Sequence, residues 1–109
     1  MPQSYEILAQ VSPSPNTVTN VFVTGASSSA IVSTITLHNF SDSNTSYSLL
    51  VRPINESESS KHFIIRGGVL PARELITITG AVTMNSSAIL AANTGGSSVS
   101  INAYGVEIT

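Results

Sequence analysis

The sequence predicts an all-β protein: one small antiparallel β-sandwich, jelly-roll or immunoglobulin-like, of about eight short strands. Three observations carry this prediction. Apolar residues recur with a period of two nearly everywhere, and almost nowhere with the period of a helix. The alternating runs are short, and turn-forming clusters of Gly, Pro, Asn and Ser separate them at regular intervals. The chain has 109 residues, enough for one core and not for two, so residues 1–109 read as a single domain.

Taken in order, Tyr5, Ile7, Ala9 and Val11 alternate with Glu6 and Gln10. Residues 1–11 precede the Ser12-Pro13-Ser14-Pro15-Asn16 turn, where two prolines forbid ladder donation, so this stretch reads as a strand or an arm that pairs with a neighbour. Val18 to Val23 is short and β-branched, and Gly25 to Ser29 is a loop. Ile31 to His38 follows, with Ile31, Ile35 and Leu37 expected on one face and Val32, Thr34, Thr36 and His38 on the other. Asn39 to Thr45 is a polar connection. Tyr47, Leu49 and Val51 form the next inward face, and Pro53 ends that strand or sets it at an edge. Asn55 to Ser60 is a second polar loop. His62 to Arg66 is a strand broken by Gly67-Gly68, and Leu75 to Thr79 is a strand stopped by Gly80. Ser87 to Ala92 is a weak strand before the Asn93-Thr94-Gly95-Gly96 turn. Val99, Ile101 and Ala103 alternate with Ser100, Asn102 and Tyr104, and Val106 and Ile108 finish the pattern.

Composition narrows the function classes. Charged residues make up 9% of the chain, against about 25% in typical soluble proteins. Ser, Thr and Asn fill much of the remainder. A positive mean hydropathy and a net charge of −2 set the chain apart from disordered sequences, which are polar and highly charged. The basic residues Arg52, Lys61, Arg66 and Arg73 are too few and too dispersed for a nucleic-acid footprint, so no nucleic acid is expected as a partner. No apolar run is long enough to span a bilayer as a helix, and no membrane partner is expected. The opening Met1-Pro2-Gln3-Ser4-Tyr5-Glu6 lacks the basic segment and apolar core of a signal peptide. With no Cys there is no disulfide and no thiolate chemistry, which suits synthesis in a reducing cytoplasm.

No residue set points to catalysis, a cofactor or a metal, so the expectation is a non-enzymatic protein with no catalytic, cofactor-binding or metal-binding residues. His38 and His62 stand at strand ends without spaced partners and read as exposed or rim histidines. Asp42-Ser43-Asn44 opens like a calcium loop, but the required glycine and closing glutamate do not follow, so it reads as a polar turn. Glu56-Ser57-Glu58, with carboxylates two apart on a loop, is expected to face solvent. No strained Gly-x-Ser-x-Gly elbow activates any of the serines. Gly67-Gly68 and Gly95-Gly96 read as turns that need positive φ. Asn39, Asn44, Asn55 and Asn85 begin Asn-x-Ser/Thr sequons, at the frequency chance gives in so hydroxyl-rich a chain, and are expected to be unmodified. Arg52, Arg66 and Arg73 are candidate interface anchors on composition alone.

The informative feature is the shortage of charge along 18–38 and 75–104. Exposed sheet edges need charges, prolines or a covering partner. An uncharged Ser/Thr-coated β surface therefore points to a subunit of a permanent assembly.

Particular residues also carry a resemblance. Val21-Phe22-Val23-Thr24-Gly25 and Ala30 to Asn39 resemble a pattern in small virion proteins of tailed bacteriophages, particularly those of cyanobacteria and marine bacteria. That family opens with Tyr-x-x-Leu-x-Gln, here Tyr5, Leu8 and Gln10. It continues with an Arg-Pro strand end, here Arg52-Pro53, and a turn here read as Val69-Leu70-Pro71-Ala72. It closes on a segment here read as Ala103-Tyr104-Gly105-Val106-Glu107. The order holds over nearly the whole chain, with a departure at the loop around Gly25, where relatives often carry proline. The resemblance implies a virion structural component made in the host cytoplasm, first of all a capsid decoration (cement) protein. Its partners would then be itself, as a homotrimer, and the major capsid protein or another virion protein. A tail, baseplate or fibre-associated module is the alternative, and a glycan-binding β-sandwich is the alternative of another class. Sugar sites favour aromatic platforms, and this chain has three Tyr, three Phe and no Trp.

Overall fold

The strands pair in nested order. In the computed structural model, which describes residues 6–57, 59–96 and 98–108, the strands are β1 (Glu6–Val11), β2 (Thr19–Val23), β3 (Ser29–Asn39), β4 (Thr45–Pro53), β5 (Phe63–Leu70), β6 (Leu75–Met84), β7 (Ala88–Thr94) and β8 (Val99–Ile108). β1 pairs β8, β2 pairs β7, β3 pairs β6 and β4 pairs β5, all antiparallel. The chain is thus one long ribbon folded back on itself. Rolling that ribbon brings β3 against β8 and β4 against β7. The result is two four-stranded sheets, β1-β8-β3-β6 (sheet A) and β2-β7-β4-β5 (sheet B). This is jelly-roll connectivity, and it decides against the immunoglobulin-like alternative. A single 3-10 turn, Ser60–His62, is the helical element among the described residues. Glu6–Val11 pair with β8 of the same chain, and the residues before Glu6 lie outside the described residues.

The core lies between the sheets. Val32, Ile35, Leu37, Ile101 and Met84 from sheet A meet Leu49, Leu70 and Leu90 from sheet B, all essentially inaccessible. Burying each such side chain contributes about 1.5–3 kcal/mol. Ala30, Ala92 and Ala103 are buried among them.

β3 departs from the plain alternation. Ala30 and Val32 face inward, but so do Ile35, Leu37 and Asn39, while Ile31 is 40% exposed. Ile31 therefore does not share a face with Ile35 and Leu37. The cause is a β-bulge at Ser33, which inserts one residue and reverses the phase. The Ser33 hydroxyl donates to the Tyr104 carbonyl (3.3 Å). Between the same two inward rows, β8 runs from Ala103 to Gly105, β3 from Ile35 to Val32 and β6 from Ile78 to Val82. Each strand takes one residue more than its neighbour, so the sheet bends progressively towards β6. Gly105 is required at this bend, because a Cβ there would overlap the Ile31 carbonyl oxygen.

Three other expectations are corrected in the same way. Gly80 does not stop its strand: β6 continues to Met84, and Gly80, at φ 153°, takes up the extra residue. Gly67-Gly68 does not break β5, which runs from Phe63 to Leu70 with a bulge between its pairings to Tyr47 and Leu49. Gly67 holds φ 71° there, and its N–H donates to the Ser48 hydroxyl (3.0 Å). The weak strand at Ser87 to Ala92 is β7, the most buried strand of sheet B, because both its faces are covered.

Candidate functional site and interaction surfaces

The two outer faces of the sandwich differ. Sheet A presents an uncharged, hydroxyl-rich face built by register. Thr34 of β3 lies opposite Thr79 of β6, and Thr36 opposite Thr77. On the other side of β3, Thr34 lies opposite Tyr104 and Thr36 opposite Asn102. Ile7 and Gln10 of β1 extend these two rows. Strand geometry spaces such rows by about 6.8 Å along the strand and about 4.8 Å across it. Neither β3 nor β6 contains Lys, Arg, Asp or Glu. His38, half-buried, stands at the end of this face opposite Ser100 and Leu75, with its ring 6.1 Å from that of Phe40.

Sheet B instead carries a strap. Leu50, Ile89 and Ala91 face away from the inter-sheet core, yet they are at most 5% exposed and form a second apolar cluster with Phe63. The segment between β4 and β5 lies beside this cluster, with its 3-10 turn against β4. His62 in that turn is 8% exposed, so it is not the rim histidine that its position at a strand start suggested. The Ser59 N–H donates to His62 Nδ1 (3.1 Å), which directs the ring's other nitrogen, Nε2, to donate to Glu56 Oε1 (3.1 Å). Lys61 Nζ pairs with the same oxygen (3.1 Å), and Arg52 Nη1 donates to the Glu56 backbone carbonyl (2.7 Å). Hydrogen bonding from Lys61, and then from His62, holds the Glu56 carboxyl below its ordinary value of 4.5. Glu56 is therefore the hub of the strap and not a free solvent-facing carboxylate. Glu58 lies outside the described residues. Arg66 stacks its guanidinium 4.9 Å from the centre of the Phe63 ring.

At one end of the sandwich the loop after β3 is stapled to the loop before β6. The amide nitrogen of buried Asn39 donates to the Ser43 and Leu70 carbonyls (2.8 and 3.1 Å), and its oxygen accepts from the Ser41 N–H (3.0 Å). This sequon asparagine is a structural staple. Arg73 pairs with Asp42 (2.7 Å), and Asn44 Oδ1 accepts from the Ala72 N–H (3.0 Å), so Asp42-Ser43-Asn44 is a cross-braced turn. Arg52, Arg66 and Arg73 all have partners within their own chain. At the opposite end a depression of 480 Å³ is lined by Ser27, Ser28, Asn85 and Ser86, and a smaller one of 150 Å³ lies between Arg52 and Thr83. Buried Thr24 Oγ1 has no hydrogen-bond partner among the described residues.

Among the described residues no three His, Cys, Asp or Glu side chains converge as a metal site would require. No helix of the structure is long and apolar enough to cross a membrane. What the structure assembles is surfaces: a strapped face on sheet B and an open uncharged face on sheet A. The strap was not visible in the sequence, because Leu50 and Ile89 fall out of phase with the inward positions.

No family model matches the chain, and no curated protein matches it. Among solved structures, the chain is similar to one in the structure of infectious bursal disease virus Gx strain, with a TM-score of 0.49 and 8% identity, over 98% of this chain and 31% of that one. The chain thus spans about a third of the length of that neighbour.

Proposed function

We propose that the protein is a non-enzymatic structural subunit of a bacteriophage virion, a capsid decoration protein that stabilises the shell through subunit contacts. The observation that carries this reading is the uncharged outer face and edge of sheet A. A small domain with so little charge has weak electrostatic protection against association, which suits a permanent neighbour. The jelly-roll connectivity is compatible with this reading, since the architecture serves capsid and lectin domains alike. The phage-family resemblance of Arg52-Pro53, Val69 to Ala72 and Ala103 to Glu107 is what supports a bacteriophage particle within this reading. The mechanism is linkage: a subunit that binds only the assembled shell stabilises the shell by its binding free energy, with no covalent chemistry.

The test is the copy number of this chain in purified particles, by quantitative mass spectrometry against the major capsid protein. The proposal expects copies on the scale of the capsomers. A few copies per particle would move the protein to the tail, baseplate or fibre, and absence from the particle would overturn the reading.

A further inference from the structure

We infer that the free edge of β6 is a self-pairing edge, which joins two copies of this chain by antiparallel β6–β6 contact into one continuous sheet. The inference deepens the assembly reading and rests on it, naming one contact. Among the described residues β6 pairs with β3 alone, so its other side presents an open row of backbone donors and acceptors. β6 is ten residues long, and its sequence Leu75 to Met84 holds no charge and no proline. Charge and proline are two of the devices by which exposed edges are protected; a third, the bulge, is present in β6 only beyond Thr79, and Leu75 to Thr79 pairs regularly with β3. Its inward residues Ile76, Ile78 and Val82 remain half-exposed, whereas the facing Ile35, Leu37 and Val32 of β3 are buried, so apolar surface is left uncovered along this edge.

The occupant follows from the strand's own pattern. Around Ile78 the sequence is symmetric, with Thr77 and Thr79 flanking it. An antiparallel copy centred on Ile78 places each Thr77 opposite the other chain's Thr79, within the regular stretch that ends at the Gly80 bulge. The outer face then gains cross-strand Thr–Thr pairs of the kind β6 already makes with Thr34 and Thr36. No like charges meet, since neither copy brings any. A strand paired with its own copy is an isologous contact and joins chains in pairs, so a threefold ring needs a different surface.

The full chain, T77K/T79K and T77K/T79E are compared by sedimentation at high micromolar concentration, with circular dichroism to verify the fold. Thr77 and Thr79 are exposed, which leaves room for the longer side chains. The expected result is twice the 11.3 kDa chain mass for the parent protein, a single chain for T77K/T79K, and recovery of the pair for T77K/T79E, where each lysine meets a glutamate. Independently, oxidation of mixed T77C and T79C chains is expected to cross-link them, while T77C alone is not. A monomeric parent protein, an unchanged mass for T77K/T79K, or no recovery in T77K/T79E overturns the contact. A monomer that is present in virions would overturn this contact and leave the decoration reading standing. A dimer that is absent from virions would do the reverse.

Discussion

The edge strands β5 and β6 come from the two different sheets, follow each other in sequence, and are finished in opposite ways. β5 carries Arg66, a bulge at Gly67 and a neighbouring strap pinned by Glu56, Lys61 and His62. β6 carries ten uncharged residues and a threonine face. Both strands are bulged, β5 at Gly67 and β6 at Gly80, but β5 carries a charge on its edge strand and β6 carries none. The contact inferred above therefore falls on β6, the longest of the four edge strands and one without charge or proline.

The comparison can be broken or sharpened by substitution. The largest effect is expected on the β5 side, from Leu50→Ala. Leu50 is fully buried beneath the outer face of sheet B, so its truncation should lower the free energy of unfolding by about 2–5 kcal/mol, read by chemical denaturation of the dilute protein. Ile78→Ala, at a half-exposed edge position, should cost clearly less under the same dilute conditions. Equal losses would mean that the β6 side is already as well covered as the β5 side. Next in size is Gly68→Ala. The new Cβ would stand 2.7 Å from Cε1 of the buried Tyr47 ring, and the displacement should cost about 1–3 kcal/mol.

The charged variants at Thr77 and Thr79 should change stability by less than about 0.5 kcal/mol in dilute solution, as exposed positions usually do. A large loss would mean that the sheet A face is not free. The smallest effect is that of acid. Because the folded-state pKa of Glu56 is depressed, its contribution to the strap is fully present above the ordinary value of 4.5 and is lost as the pH falls through the lower folded value. An NMR titration of the Glu56 side-chain carboxyl carbon with its midpoint below 4.5 is the expected sign. β6 contains no titratable side chain and should show no such response.

Much of the sandwich was legible because period-two alternation survives wherever a strand has one wet face. β8, with Val99, Ile101 and Ala103 inward, is the plain case. Legibility failed where the pattern depends on a neighbouring strand. The Ser33 bulge is set by pairing to β8, and nothing in Ile31-Val32-Ser33-Thr34 announces the change of phase. Gly80 and Gly67 read as breakers because their local preference is for turns, yet each serves as the extra residue of a paired strand. β7 looked weak because Ala88 to Ala92 does not alternate, and it does not alternate because both its faces are dry. His62 was misplaced for a related reason: its burial depends on Glu56 and Ser59 folding back, a contact that no periodicity encodes. The charge-poor character of β6 was visible in composition, but only the topology places it at an edge.

The most direct measurement is amide hydrogen exchange of β5 and β6 in the parent protein at high and low concentration. The account predicts that edge-facing amides of β6 are protected in concentrated solution and exchange faster on dilution, while those of β5 are unaffected. Exchange in β6 that does not depend on concentration, or a dependence that appears in β5 instead, would contradict it.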